Sequence, residues 1–295
     1  MARALGQSGE EVTTEVVAIR TSGDHGGSGV GDAEQPPDAP RDKSRFVKEI
    51  EDALLRGEIE LAVHSAKDVP ATLPEGLAIV AVPPPEDPRD AVVGASDSLQ
   101  DLPDGARVGT SSLRRRSQLL AIRPDLDVAD LRGNVDTRLR KLAAGNYDVI
   151  VVALAGLVRL GRAGEASAVL EPREMVPAPG QGILALEARL GDDGVATAAA
   201  SVGDRSAVAR LEAERAVVTA LDASCRTPVG AFAEVEGGNL HLQAYVGLPD
   251  GSAWIRDEIL GEATDAASLG RALSERLLAA GAGEILRRAK ALATG

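Results

Sequence analysis

Apolar and polar positions recur along this chain with two periods, and the switches between them predict its elements. Residues 12–20, VTTEVVAIR, are rich in β-branched side chains and bounded by TSGD, which predicts a strand. The following HGGSGVGDAEQPPDAPRDKS is dense in Gly, Pro and Asp, so no packed element is expected there; simple disorder fits it better than a lid over a cleft. In FVKEIEDALLRG, Phe46, Val47, Ile50, Ala53 and Leu54 fall at helical spacing and Gly57 closes the run. IELAVHS and LAIVAVPP predict strands. After EDPRDAVVG the period alternates: strand RVGTS, helix SLRRRSQLLAIR, strand LDVADL, helix NVDTRLRKLAAG, strand YDVIVVALAGL. The Pro/Gly joint VPAPGQG leads into one more strand, ILALEARL.

From Asp204 the character changes. SAVARLEAERAVVTAL reads as a strongly amphipathic helix, followed by DASCRTPVG and three short strands, GAFAEVEG, LHLQAYVGL and AWIRDEIL. Pro249-Asp250-Gly251 is a hairpin turn. Helices over 265–280 and 283–292 complete a small α+β domain. Strand–helix alternation in the preceding part predicts an α/β fold with parallel or mixed sheets. Crossings near 84–90 and 176–183 divide it into two lobes with a hinged cleft between them, the preferred place for a ligand. The expected boundaries are 1–85 plus 184–203 for lobe 1, 86–183 for an arginine-rich lobe 2, and 204–295 for the C-terminal domain.

Composition narrows the function. No run approaches the roughly 20 apolar residues of a membrane span, and MARALGQSGEEV has no apolar core for export; a cytoplasmic protein without a membrane partner is expected. One cysteine excludes an internal disulfide and a Cys-based metal site, and His25, His64 and His241 have no ligand spacing, so no metal is expected. The net charge of −13 argues against nucleic acid as a partner. Between Arg107 and Arg140, however, arginines cluster, which suggests a small polyanionic ligand.

Four places could carry chemistry. AVHSAKDVP crowds His64, Ser65, Lys67 and Asp68 at a strand tip, where open α/β sheets face their cleft. A Lys–Asp pair also fits a salt-bridged turn; among arginines, Asp68 becomes a group to stabilise a cation or move a proton. GTSSLRRRSQ sets Thr110, Ser111 and Ser112 at a helix start with Arg114 and Arg115 in its first turn. Unpaired N–H groups and the positive dipole end suit a carboxylate or phosphate there, the alternative being a solvated basic face. In LRGNVDTRL, Arg132 and Arg138 could converge on the same anion. Cys225 lies in a loop beside Arg226, a neighbour that favours its thiolate; alone it reads as a structural cysteine.

The order of these segments is more specific than any one. AVHSAKDVP, EDPRDA, GTSSLRRRSQL, LRGNVDTRLRKL, YDVIVVALAGLVRLG, VPAPGQG, and AERA followed by SCRTPVGA resemble the porphobilinogen deaminase family, in sequence and over nearly the whole chain. The resemblance implies two lobes similar to type II periplasmic binding proteins plus a third domain, and a monomer. It implies a dipyrromethane cofactor held by a thioether to Cys225, with Asp68 as the central catalytic group. Lys67, Ser65, Thr110, Ser112, Arg114, Arg115, Arg132 and Arg138 would bind acetate and propionate groups, and Gln7, Lys43, Arg159 and Gln181 would contact the substrate. The implied reaction joins four porphobilinogen molecules with loss of ammonia and releases hydroxymethylbilane. Each added ring brings two carboxylates, which suits several arginines and domains that can part.

Two features depart from the family pattern. The family begins with a strand and a Thr-Arg-x-Ser motif, whereas this chain opens inside the helix that follows, so Met1 is expected to be an internal methionine; a mature N-terminus at Met1 or Ala2 on mass spectrometry would sink that expectation. ArgAspLysSer at 41–44 stands where the family carries a Gly-Gly-x-Gly-type segment, with Lys43 keeping a cation there. Two other readings compete: a non-catalytic binding module for a small carboxylated ligand, which leaves the Cys225 domain without a purpose, and an inactive truncated homologue.

Overall fold

The computed structural model describes Leu5, residues 13–17, Ile19, and residues 44–224 and 227–292. Three sheets organise these residues. The first, in order β1-β8-β2, joins β1 (Leu61–Ser65), β8 (Leu184–Arg189) and β2 (Leu77–Ala81), all antiparallel. Helix α1 (Ser44–Arg56) lies against it through Ala53 and Leu54, with Ile50 beside them. The helix ends as its sequence predicts. Gly57 takes a φ of 72°, its N–H reaches the Leu54 carbonyl, and Glu58 N–H reaches that of Ala53, the paired closure of a left-handed cap.

The second sheet has five strands in order β5-β4-β6-β3-β7: β3 (Asp90–Gly94), β4 (Arg107–Gly109), β5 (Asp127–Ala129), β6 (Val149–Ala153) and β7 (Ala168–Leu170). It is mixed, with β4 parallel to β5 and β6, and β3 antiparallel to β6 and β7. Alternation feeds both faces. Val92, Val149 and Val151 pack with Leu119 of α2 (Leu113–Ile122) on one side; Ala91, Ile150 and Val152 pack with Leu139 of α3 (Val135–Ala143) and Leu157 of α4 (Leu154–Arg159) on the other. A sheet covered on both faces needs such unbroken apolar strands, and each fully buried Leu or Ile contributes roughly 2 kcal/mol. The chain passes from the first sheet to the second through residues 82–89 and returns through 171–183, so two α/β lobes are joined by a double connection.

The third sheet is an antiparallel meander, β9 (Val229–Glu236), β10 (Asn239–Gly247) and β11 (Trp254–Glu262), in order β11-β10-β9. Before it come α5 (Asp193–Ala200) and α6 (Arg205–Ala220), and after it α7 (Ala266–Ala279) and α8 (Ala282–Leu292). One face of the meander, with Leu240, Leu242, Ala244 and Val246, packs on α6, α7 and α8. Its opposite face brings Phe232 and Tyr245 onto Val176 of the return connection. Helix α6 serves two cores. Ala207 and Leu211 pack with Ala66, Val69 and Ile183 in lobe 1, while Ala213 and Val217 pack under the meander. A helix buried on two sides does not have the single apolar stripe expected of it.

Two expectations fail locally. Thr13, Thr14, Glu15, Val16 and Val17 form no strand, and Val16 is 82% exposed; β-branched composition without a ladder partner does not make a strand. The end of YDVIVVALAGL is helical from Leu154, because a continuous apolar run does not itself tell strand from buried helix.

Candidate active site between the lobes

Asp68 and Lys67 occupy a single 3₁₀ turn, Ala66–Asp68, that follows β1 directly. The Ala66 N–H donates to the Ile183 carbonyl (3.0 Å) and ties this turn to the return connection. Gly180 packs against its backbone: a Cβ there would lie 2.8 Å from Ala66 C and Lys67 N, and the φ of 74° also demands glycine. Ser65, Lys67 and Asp68 are half-buried.

The second group of candidate residues lies at the start of α2. Ser112 caps it by accepting the Arg115 N–H, and Thr110, 1% exposed, accepts the Ser112 N–H through Oγ1 (3.3 Å). Arg114 and Arg115 do not form a solvated face. They are 4% and 5% exposed and share one carboxylate, that of Asp90 on β3. Arg115 donates to Asp90 Oδ1 through Nε (3.0 Å) and Nη2 (2.8 Å), and to the Val151 carbonyl through Nη1 (3.0 Å). Arg114 pairs with Asp90 Oδ2 and reaches the Val176 carbonyl (3.1 Å). Gln181 closes the group, its Nε2 donating to Asp90 Oδ1 (2.8 Å) and the Pro88 carbonyl (2.6 Å). Burial alone would raise the Asp90 carboxyl, but the charges of Arg114 and Arg115 outweigh it and hold it well below the usual range. Burial lowers Arg114, with Asp90 opposing that effect.

The remaining arginines differ. Arg138 on α3 donates Nε to the Gly133 carbonyl (2.8 Å) and lies in electrostatic reach of Arg115 and Asp68. Burial, then Arg115, push its guanidinium down to about 10 against the pull of Asp68. Arg159 donates to the Gly182 carbonyl (2.7 Å), so it grips the return connection. Arg132 stands apart, exposed and 3.3 Å from Asp130. Thus Arg114, Arg115 and Gln181 gather on Asp90, Arg138 lies in electrostatic reach of Arg115 and Asp68, Gln181 and Arg159 hold the connecting segments, and Arg132 stands on the exposed surface beside Asp130. Gln7, Lys43 and Cys225 lie outside the described residues; beside Cys225, Ser224 and Thr227 close a turn, the Thr227 hydroxyl donating to the Ser224 carbonyl (2.7 Å).

Sequence reasoning missed Asp90 and Glu214 as site-building residues. Both sit in segments it singled out, EDPRDA and AERA. Adjacent arginines in an apolar helix require a counter-charge, and that requirement was the available signal for Asp90.

A family model for the porphobilinogen deaminase dipyromethane cofactor binding domain matches residues 1–197, and one for the porphobilinogen deaminase C-terminal domain matches residues 208–279. The chain is 47% identical over 284 residues to a porphobilinogen deaminase of Thermus thermophilus, covering 96% of this chain and 91% of the relative. It is 51% identical over 254 residues to that of Roseiflexus castenholzii, covering 86% and 84%. Among solved structures, the likeness to YhfZ of Shigella flexneri is remote, with TM-score 0.37 and 16% identity over 75% of this chain and 84% of that one. The chain belongs to the porphobilinogen deaminase family. It is a transferase of tetrapyrrole biosynthesis that joins four porphobilinogen molecules head to tail, with loss of ammonia, to give hydroxymethylbilane, and its cofactor is a dipyrromethane.

The residues present suit such a group, which carries acetate and propionate arms. Ser111 Oγ and Arg114 Nε are buried at the start of α2 without a hydrogen-bond partner, and Arg138 is a half-buried cation whose proton an anion would stabilise.

Proposed function

We propose that Asp68 is the catalytic carboxylate of this condensation, and that the cofactor is joined to Cys225 by a thioether. Lys67, Ser65, Thr110, Ser112, Arg114, Arg115 and Arg138 bind the carboxylates of cofactor and growing chain, and Arg132, exposed beside Asp130, is assigned to the same task on the family resemblance alone. The observation that carries this reading is the place of the Asp68 turn, which follows β1 and is tied through Ala66 to the return connection, with Arg138 in electrostatic reach. Bound dipyrromethane supplies the pyrrole carbon at which the first porphobilinogen is joined. Asp68 faces the positive charge that develops on porphobilinogen as ammonia leaves, and a carboxylate held in place there lowers the barrier without reorganising. Arg138 and the α2 N-terminus take the anionic arms and fix the register of the rings. Asp90 and Gln181 hold Arg115 in orientation from behind.

Gln7 and Lys43 are direct substrate contacts on the strength of the family resemblance. Arg159 and Gln181 serve the substrate through the connecting segments they hold. The domains divide at 1–85 plus 184–203, 86–183 and 204–295; the second division agrees with α6 starting at Arg205 behind its cap Asp204. The protein works as a cytoplasmic monomer without nucleic-acid or membrane partners. Its net charge of −13 supports the first exclusion, and among the described residues no helix is long and apolar enough to cross a membrane.

Intact mass and turnover test the assignment together. Wild-type protein incubated with porphobilinogen should gain one dipyrromethane, mapped by digestion to Cys225, and Cys225→Ser should not. Asp68→Asn should keep the cofactor and lose about 100- to 1000-fold in kcat. Near-normal turnover in that variant would remove Asp68 from the chemistry.

A further inference from the structure

One buried acid outside the Asp68–arginine group is placed where all three parts of the molecule meet. Glu214 lies on α6, and its side chain is 2% exposed. Its two carboxylate oxygens accept backbone N–H groups from two distant segments: Oε2 takes Gly180 of the return connection (2.6 Å), and Oε1 takes Ala233 of β9 (2.9 Å). Among the described residues the charge acting on it is that of Arg210, a helical turn earlier, which stacks over Phe232 (5.5 Å to the ring centroid). A carboxylate there is costly, since burial pushes it up to about 7 against the pull of Arg210 and of the two N–H groups. Helix-to-sheet packing alone would be served by an apolar residue.

What Glu214 holds explains the cost. Gly180 is the residue whose Cα abuts the backbone of Ala66 and Lys67, where an added Cβ would clash at 2.8 Å. Gln181 follows it and ties Pro88 to Asp90. Asp68 is the last residue of the turn that Gly180 braces, and Ile183, two residues after Gln181, accepts the Ala66 N–H. A shift of Gly180 therefore moves the Asp68 turn and the Gln181 tie together.

We infer that Glu214 is a positioning residue for the condensation: through its hydrogen bond to Gly180 it anchors the turn bearing Asp68 to the C-terminal domain. This rests on the reading of Asp68 as the catalytic carboxylate. Glu214 touches neither substrate nor cofactor in this role; it limits how far Asp68 can drift as the chain grows.

The test compares kcat, KM and cofactor content of holoenzyme carrying Glu214→Gln, Gly180→Ala, both changes, or Asp68→Asn. A glutamine offers one acceptor but turns an NH₂ toward the second N–H, so one brace is lost with little change of shape. Glu214→Gln should retain one dipyrromethane per chain by intact mass, keep KM nearly unchanged, and lose about 10- to 100-fold in kcat, the scale of a misplacement near 1 Å. Gly180→Ala should show the same split, and the double variant should fall no further than the worse single, because both act by displacing Gly180 from the Asp68 turn. Wild-type kcat in Glu214→Gln, or losses that multiply in the double variant, would overturn the inference. Equal changes in kcat, KM and cofactor content would reduce Glu214 to a structural part and overturn it as well. If Glu214→Gln does not fold, Glu214→Asp, which keeps the charge but shortens the reach, must show the kcat loss instead. A fully active Asp68→Asn would refute the reading of Asp68, whereas an inactive Asp68→Asn beside a normal Glu214→Gln refutes this inference alone.

Discussion

The two lobes each bury a knot of charged side chains, and they treat it in opposite ways. In lobe 2, Asp90 is 0% exposed and accepts from Arg115, Arg114 and Gln181, so both oxygens are engaged and the carboxyl is driven well below its usual range. In lobe 1, His64 on β1 lies 3.0 Å from Glu187 on β8, with Glu51 of α1 nearby. There His64 Nε2, both oxygens of Glu187 and Oε1 of Glu51 have no hydrogen-bond partner in adequate geometry. Burial first, and then the charge of Glu187, raise the Glu51 carboxyl. The difference teaches where orientation is needed. Asp90 holds two arginines of the α2 first turn and stands at the start of β3, where the chain enters lobe 2, while the lobe 1 knot lies among β1, β8 and α1, with Arg215 of α6 in electrostatic reach of Glu187.

Breaking the satisfied knot should have the largest effect. Asp90→Ala leaves two guanidinium groups buried without their counter-charge, which should cost about 3–5 kcal/mol in urea unfolding of the holoenzyme. The pH dependence follows from the sign of the shift. Asp90 is lowered in the folded state, so its contribution is fully present above the unfolded value near 3.8 and is lost as pH falls toward the folded one. Wild-type stability should therefore show no Asp90 contribution to its slope between pH 5 and 8. An Asp90→Ala protein as stable as wild type would mean that Arg114 and Arg115 find other partners, and the contrast between the lobes would collapse.

Much of this architecture was readable from the sequence, for physical reasons that also mark the limit. Helix α1 carries its period and its Gly57 stop, and Pro249-Asp250-Gly251 turns β10 into β11, because these signals are local. Helix α5, DGVATAAA, has no periodic stripe, and β7 is three residues long; neither was foreseen. The start of α2 was readable as a helix N-terminus because Ser112 stands before the helical run as its cap. That Arg114 and Arg115 point inward was not, since their partner Asp90 lies 24 and 25 residues away and only the β3–β6 pairing brings it beneath them. Glu214 is harder still: a glutamate inside a helix looks solvated unless the two segments donating to it are known.

A weaker bond sharpens the comparison on the lobe 2 side. Ser117 of α2 and Tyr245 of β10 share a hydrogen bond of 2.8 Å between lobe 2 and the C-terminal domain, and both are buried. Burial pushes the Tyr245 phenol up to about 12, with Ser117 opposing it. Tyr245→Phe keeps the ring that stacks on Trp254 (6.1 Å) but strands the Ser117 hydroxyl. It should lower stability by about 1–2 kcal/mol, and adding Ser117→Ala should recover part of that loss in a double-mutant cycle. Additive losses would show that the two hydroxyls do not depend on each other.

The smallest effect is expected from the unsatisfied knot, and there its sign changes with pH. Glu51 is 3% exposed and its carboxyl is raised above 4.5 by burial, by Glu187 and by Asp52, against His64 and Lys48. A raised acid favours the folded state when protonated. Its stability is therefore greatest below the unfolded value, declines as pH rises through the folded one, and is flat beyond it. Glu51→Gln cannot titrate and keeps nearly the same shape, so it escapes that decline. Urea unfolding of the two proteins at pH 4 and pH 8 should place the variant level with or slightly below wild type in acid. At pH 8 it should move upward relative to wild type, the whole change being on the order of 1 kcal/mol. A variant that loses ground as pH rises would mean that ionised Glu51 is stabilised in the fold. Lobe 1 would then hold a satisfied ion cluster after all, equivalent to that of Asp90, and the two lobes would differ only in which charge sits at the centre.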